Sequence, residues 1–262
     1  MIIDTHCHLD DKRYNQDVDK VINRAKEQGV KRFIIPGADA ETLSRAVELS
    51  ELYNEVYFAV GIHPYHAKEY NRAYLEKFVK HPKCVAIGEC GLDYYRLPDG
   101  KKEIEAEKRL QKEVFIEQIE WAKELKLPLI VHIRDSSSDC LEILEEYAGA
   151  EGGVLHCYNA DESLLRLANR GFYYGIGGVI TFKNAKKLIS VYPKIPLDKL
   201  IIETDAPYLT PHPHRGKRNE PSYTKLVASK MAWLSKIEQG DLEEMTTGNA
   251  ERLFFKMGYF PL

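Results

Sequence analysis

The chain has 262 residues, 44% of them hydrophobic, with a formal net charge of -3 and a pI near 6.3. That length supplies one large core, and the near-neutral balance excludes a generally basic protein that coats nucleic acid through bulk charge, so any nucleic-acid contact has to be local. No apolar run approaches the roughly 18 residues of a membrane span, and the first residues lack the pattern of a secretory leader, so a soluble, cytoplasmic monomer without membrane association is expected.

The first strand candidate, Met1 to Thr5, runs straight into His6 and His8. In extended backbone, positions i and i+2 share a face, so these two imidazoles can address one ion. Further β-rich runs follow at Lys31 to Pro36, Val56 to Gly61, Cys84 to Gly88, Pro128 to Val131, Gly153 to Leu155, Phe172 to Gly177 and Lys199 to Glu203. Between them, apolar residues recur at helical spacing, as in Asp17 to Gln28, Ala40 to Leu52, Glu103 to Leu125 and Ser138 to Tyr147. Eight alternating units predict an α/β fold, a (β/α)8 TIM barrel occupying residues 1–262 as one domain, with a doubly wound open sheet as the alternative. Five cysteines (Cys7, Cys84, Cys90, Cys140 and Cys157) without a Cys-x-x-Cys pair point to reduced thiols rather than disulfides or a zinc finger.

In a barrel the strand ends meet on one face, where loops build active sites. Read in order, those ends carry His6 and His8, then His63, Glu89, His132, His156, and finally Glu203 with Asp205. Four histidines with Glu89 and Asp205 exceed what one tetrahedral ion needs, so two divalent ions are expected, with Glu89 bridging them. His63, which precedes Pro64, is read as shaping a turn or touching substrate.

At this point the chain resembles the TatD-type metal-dependent hydrolases and deoxyribonucleases of the amidohydrolase superfamily. The resemblance rests on Asp-Thr-His-Cys-His-Leu-Asp at residues 4–10, Val-Gly-Ile-His-Pro at 60–64, Ala-Ile-Gly-Glu-Cys-Gly-Leu-Asp-Tyr-Tyr at 86–95, Leu-Ile-Val-His-Ile-Arg-Asp at 129–135, Leu-His-Cys-Tyr at 155–158, Gly-Ile-Gly-Gly at 175–178, Glu-Thr-Asp-Ala-Pro-Tyr-Leu at 203–209 and Arg-Gly-Lys-Arg-Asn-Glu-Pro at 215–221. It implies a two-metal barrel with ligand roles for His6, His8, Glu89, His132, His156 and Asp205. It also implies a 3′-5′ exonuclease on single-stranded DNA, with RNA as a second substrate. Glu89, where some superfamily relatives carry a carboxylated lysine, favours the nuclease-like branch. Tyr158 stands where relatives often have Phe, which touches substrate preference only.

Asp205 and Glu89 are the expected catalytic residues, Asp205 accepting or orienting a proton while ligating. His63, Arg134, Arg215, Arg218, Tyr158 and Glu203 are the expected substrate contacts. Arg215, Lys217 and Arg218 are read as a phosphate clamp, and Tyr94, Tyr95 and Tyr158 as surfaces for stacking bases. The competing activities are ester or amide hydrolysis, such as removal of a D-amino acid from tRNA, and a metal-bound binding module without turnover. Zn²⁺, Mn²⁺ and Mg²⁺ all remain open.

Overall fold

In the computed structural model, which describes residues 1–258, eight parallel strands pair in sequence order. They are β1 (Ile2–Asp4), β2 (Val30–Ile35), β3 (Val56–Val60), β4 (Cys84–Asp93), β5 (Leu129–Arg134), β6 (Gly153–Leu155), β7 (Phe172–Ile176) and β8 (Leu200–Ile202). The ring closes where the Thr5 N–H donates to the Ile202 carbonyl at 3.1 Å, and beyond the strand ends where Asp205 N–H donates to His6 O at 2.9 Å. The helices are α1 (Val18–Glu27), α2 (Leu43–Leu52), α3 (Arg72–Val79), α4 (Lys101–Leu125), α5 (Ser137–Tyr147), α6 (Lys186–Val191), α7 (Thr224–Ser235) and α8 (Gln239–Leu253). A 3₁₀ segment, Glu162–Arg170, returns the chain from β6. The architecture is a (β/α)8 barrel.

Strand alternation separates two cores. Ile3, Ile34, Ala59, Ala86, Ile130, Val154 and Ile201 fill the barrel, whose lower end is closed by Ala250, Leu253, Phe254 and Met257. Their neighbours, among them Phe33, Ile35, Phe58, Val131 and Leu155, face the helices and pack against Phe115 and Ile119 of α4. The barrel floor is therefore mostly apolar packing, apart from the buried Arg32–Glu251 ion pair at 3.5 Å, and the cluster of histidines and carboxylates lies at the upper mouth.

β4 departs from the sequence expectation, running to Asp93 instead of ending at Gly88. Ile87 and Cys90 pair with Leu129 and Val131, so three steps on β4 match two on β5. This bulge carries the strand past glycines that read as breakers, and it re-aims Glu89. Counting alternately from Ile87, Glu89 would face the helices; the extra residue turns it into the barrel. Gly91 completes the device: at φ +133°, a Cβ there would lie 2.1 Å from the His132 carbonyl oxygen. Gly91→Ala is expected to destabilise the fold by about 2–3 kcal/mol, from backbone strain and displacement of β5. A denaturant midpoint equal to that of the parent would contradict this packing.

Candidate metal centre

Six side chains meet at the mouth in two adjoining sets. His6, His8 and Asp205 form one, and Glu89, His132 and His156 the other, with the ligand atoms of each set within 4.8 Å of one another. His6 Nε2 faces His8 Nε2 at 3.3 Å, and Asp205 Oδ1 lies 3.8 Å from the first and 3.4 Å from the second. Glu89 joins the sets, with Oε2 3.5 Å from His6 Nε2 and Oε1 3.0 Å from His132 Nδ1 and 3.8 Å from His156 Nε2. The His6 and His156 rings stack with centroids 3.4 Å apart. Imidazole lone pairs and carboxylate oxygens converging this closely, with His6 Nδ1 and Glu203 Oε2 buried and unpartnered, fit cations far better than they fit one another.

Two further carboxylates stand behind the histidines. Asp93 Oδ2 accepts from His132 Nε2 at 2.9 Å, leaving Nδ1 on the Glu89 side to ligate. Glu203 Oε1 lies 3.1 Å from His156 Nδ1, leaving Nε2 for an ion. Such partners fix ring orientation and tautomer. Gly175 makes room for Glu203, since a Cβ there would sit 2.2 Å from Oε2. Asp4 ties the ends of β1 and β8 together by accepting from Thr204 N at 3.0 Å and Thr204 Oγ1 at 2.6 Å.

The carboxylates also set the protonation of the apo site. Burial disfavours a charged imidazole, but the Asp205 hydrogen bond and the nearby acidic charges lift His8 to about 9. In the same way, Asp93 and Glu89 outweigh burial and lift His132 to about 9. For His63 burial dominates, and its pKa falls to about 3. A ligating imidazole must be neutral, so metal binding by His8 and His132 at neutral pH would displace protons from both rings. Apparent affinity is expected to rise about tenfold per pH unit for each proton displaced, up to the region where these rings lose their protons unaided. Calorimetric titration of the stripped protein in two buffers of different ionisation heat checks this; equal apparent heats would contradict it.

A cavity of about 820 Å³ opens above the centre, lined by His8, Glu89, His132, His156 and Asp205, and also by His63, Arg134 and Tyr158. The Tyr65 N–H donates to His63 Nδ1 at 3.1 Å, so neutral His63 carries its hydrogen on Nε2, 3.8 Å from Glu89 Oε1. Tyr158 is buried, its hydroxyl donating to the Asp161 carbonyl at 2.7 Å. Four sequence expectations lie elsewhere. Glu203 is fully buried behind His156 and does not line the cavity. Arg218 is held by Asp17 through contacts of 2.8 and 2.6 Å. Arg215 donates to the Thr210 carbonyl at 2.9 Å and lies over Phe182. Asn219 Nδ2 pins this segment to the Thr204 and Tyr208 carbonyls, Arg218 ties it to the entry of α1, and neither Arg215 nor Arg218 lines the cavity. Tyr94 is occupied by Asp139, at 2.7 Å. The orienting residue the sequence reading passed over is Asp93; its signal was the register of β4, where it follows Glu89 along a strand assumed to have ended.

Similarity to known proteins places the chain among metal-dependent hydrolases, and six side chains able to hold metal at the upper mouth of an eight-stranded barrel suit that class. Within that class the chain belongs to the TatD family, since residues 3–255 match the family model described as TatD related DNase. It is 46% identical over 259 residues to the metal-dependent hydrolase YabD of Bacillus subtilis, covering 97% of this chain and 99% of that one. It is 34% identical over 266 residues to the 3'-5' ssDNA/RNA exonuclease TatD of Cronobacter turicensis, covering 97% and 98%. The crystal structure of YJJV, a TatD homolog from Escherichia coli, matches with a TM-score of 0.88 at 30% identity, covering 97% of this chain and 98% of that one.

Proposed function

We propose that the protein is a 3′-5′ exonuclease on single-stranded DNA, with RNA as a second substrate, working with two divalent ions held by His6, His8 and Asp205 on one side and His132 and His156 on the other. The observation that carries this reading is the placement of Glu89, whose two oxygens face the two ligand sets. When bound, such ions neutralise phosphate charge and make a water acidic enough to attack near neutral pH. Asp205 accepts the proton of the attacking water through Oδ1, close to His8. His63 donates from Nε2 to a non-bridging phosphate oxygen. Asp93 and Glu203 keep His132 and His156 in their ligating tautomers.

Depth supports a strand end over a duplex. His6, Glu89 and His156 are 1%, 3% and 5% exposed, so the scissile group must descend between the loops. A single strand reaches that depth directly, whereas a duplex has first to unpair its end. The relative named as a single-stranded DNA and RNA exonuclease points the same way. The test is digestion of 5′-labelled and 3′-labelled single-stranded DNA by chelator-stripped protein resupplied with Mg²⁺, Mn²⁺ or Zn²⁺. Stepwise shortening from the 3′ end is expected. No cleavage with any ion would overturn the nuclease reading in favour of ester or amide hydrolysis.

A further inference from the structure

The cations around the cavity differ in how they are held. Arg13 is bound to Asp11, Arg218 to Asp17 and Arg24 to Glu220, all outside the cavity lining. Arg96 and Arg134 do line it, and among the described residues neither has a carboxylate within ion-pair distance. Each lies against an aromatic ring instead. The Arg134 guanidinium is 3.6 Å from the centroid of Tyr95, and that of Arg96 is 5.8 Å from the centroid of Tyr65. Both rings reach solvent, with Tyr95 57% and Tyr65 37% exposed.

These four residues form one wall. Tyr65 lines the cavity beside the two guanidiniums, and so does Asp93. Asp93 accepts from the Tyr95 N–H at 2.9 Å and from His132 Nε2 at 2.9 Å. The wall is thus continuous with the ligand set at the floor, through one carboxylate. The opposite lip, after β1 and β2, presents Asp10, Asp11 and Asp39. A polyanion meets attraction on the first side and repulsion on the second.

We propose that the wall of Tyr65, Tyr95, Arg96 and Arg134 binds the nucleotides immediately upstream of the scissile phosphate, the rings receiving bases and the guanidiniums receiving backbone phosphates. Unpaired guanidiniums preoriented on aromatic faces suit both tasks, because they bond phosphate at their edge and leave ring surface for stacking. No base edge is read, so the wall binds single strands without sequence preference and serves DNA and RNA alike. The proposal rests on the nuclease reading and adds to it where the strand lies and which residues make longer strands better substrates.

The experiment compares kcat/KM for oligothymidylates of increasing length with kcat/KM for bis(p-nitrophenyl) phosphate, a diester with no upstream nucleotide. For the parent protein the ratio should climb with the first added upstream nucleotides and then level off. In Tyr95→Ala, at an exposed position, it should fall about tenfold, through KM, and Tyr95→Phe should restore it. Arg96→Gln should lower the slope of log KM against log salt by about one. Ratios within twofold of the parent in both Tyr95→Ala and Arg96→Gln, or an equal loss on both substrates, would overturn the wall. A parent protein that hydrolyses the small diester and no oligonucleotide at all would instead overturn the nuclease reading, and the wall with it.

Discussion

Replacing Asp205 by asparagine is expected to leave the barrel folded and to lower turnover by about 10² to 10⁴-fold, the range for loss of a general base. The substitution is structurally mild for a specific reason. Asp205 sits at φ +56°, a left-handed conformation in which asparagine is as comfortable as aspartate, and its backbone N–H and carbonyl are fixed by His6 and Tyr208. The side chain loses its ability to take a proton and also its negative charge beside His8, which is why metal content has to be followed alongside turnover. Burial would raise the Asp205 pKa, but the hydrogen bond from His8 and the charges of His156 and His6 bring it below the usual carboxylate value, so the group stays ionised across any practical assay range. Turnover on single-stranded DNA, measured with metal content on the same preparation, decides the matter. A variant that retains metal and cleaves near the parental rate would remove Asp205 from proton transfer.

The second large effect is expected one step further from the ions. Glu203→Gln and Asp93→Asn should each weaken metal binding by about 10 to 100-fold, the usual cost of losing a carboxylate that orients a ligating histidine. Glu203 accepts from the Cys157 N–H at 2.6 Å while facing His156 Nδ1. A neutral amide there still has an oxygen, but it brings an NH₂ with no acceptor in a fully buried place and no longer favours the Nδ1–H tautomer. Competition with a chromophoric chelator reads the change directly, without substrate. Parental affinity in both variants would mean that the imidazoles are oriented by something other than these carboxylates.

The ligand sets were visible in the sequence because barrel topology converts strand ends into neighbours. Once His6, His8, Glu89, His132, His156 and Asp205 are placed at such ends, topology brings them to one mouth, and Glu89 alone needs a further device, the bulge in β4. Strand positions followed from apolar runs, and the eight observed strands overlap those expected, with β4 running on to Asp93 and β5 to Arg134. Contacts made by irregular backbone were not visible in that way. The sequence run Arg-Gly-Lys-Arg-Asn reads as basic and therefore available for phosphate, yet Arg218 pairs with Asp17 across a separation of 201 residues. Glu203 reads as a polar neighbour of Asp205, while strand alternation beside Gly175 turns it inward. Charge type could be read from the chain; which charges were already partnered could not.

The packing of Ala250, Leu253, Phe254 and Met257 beneath the barrel has a kinetic consequence. Among the described residues the chamber is a blind alley, closed at its floor and entered by a doorway at the upper mouth. Substrate and released product must share that doorway, so a departing fragment stands in the path of the next arrival, and catalysis proceeds by alternating admission and expulsion instead of through-flow. High concentrations of the small product should therefore slow the reaction as a competitor of incoming substrate.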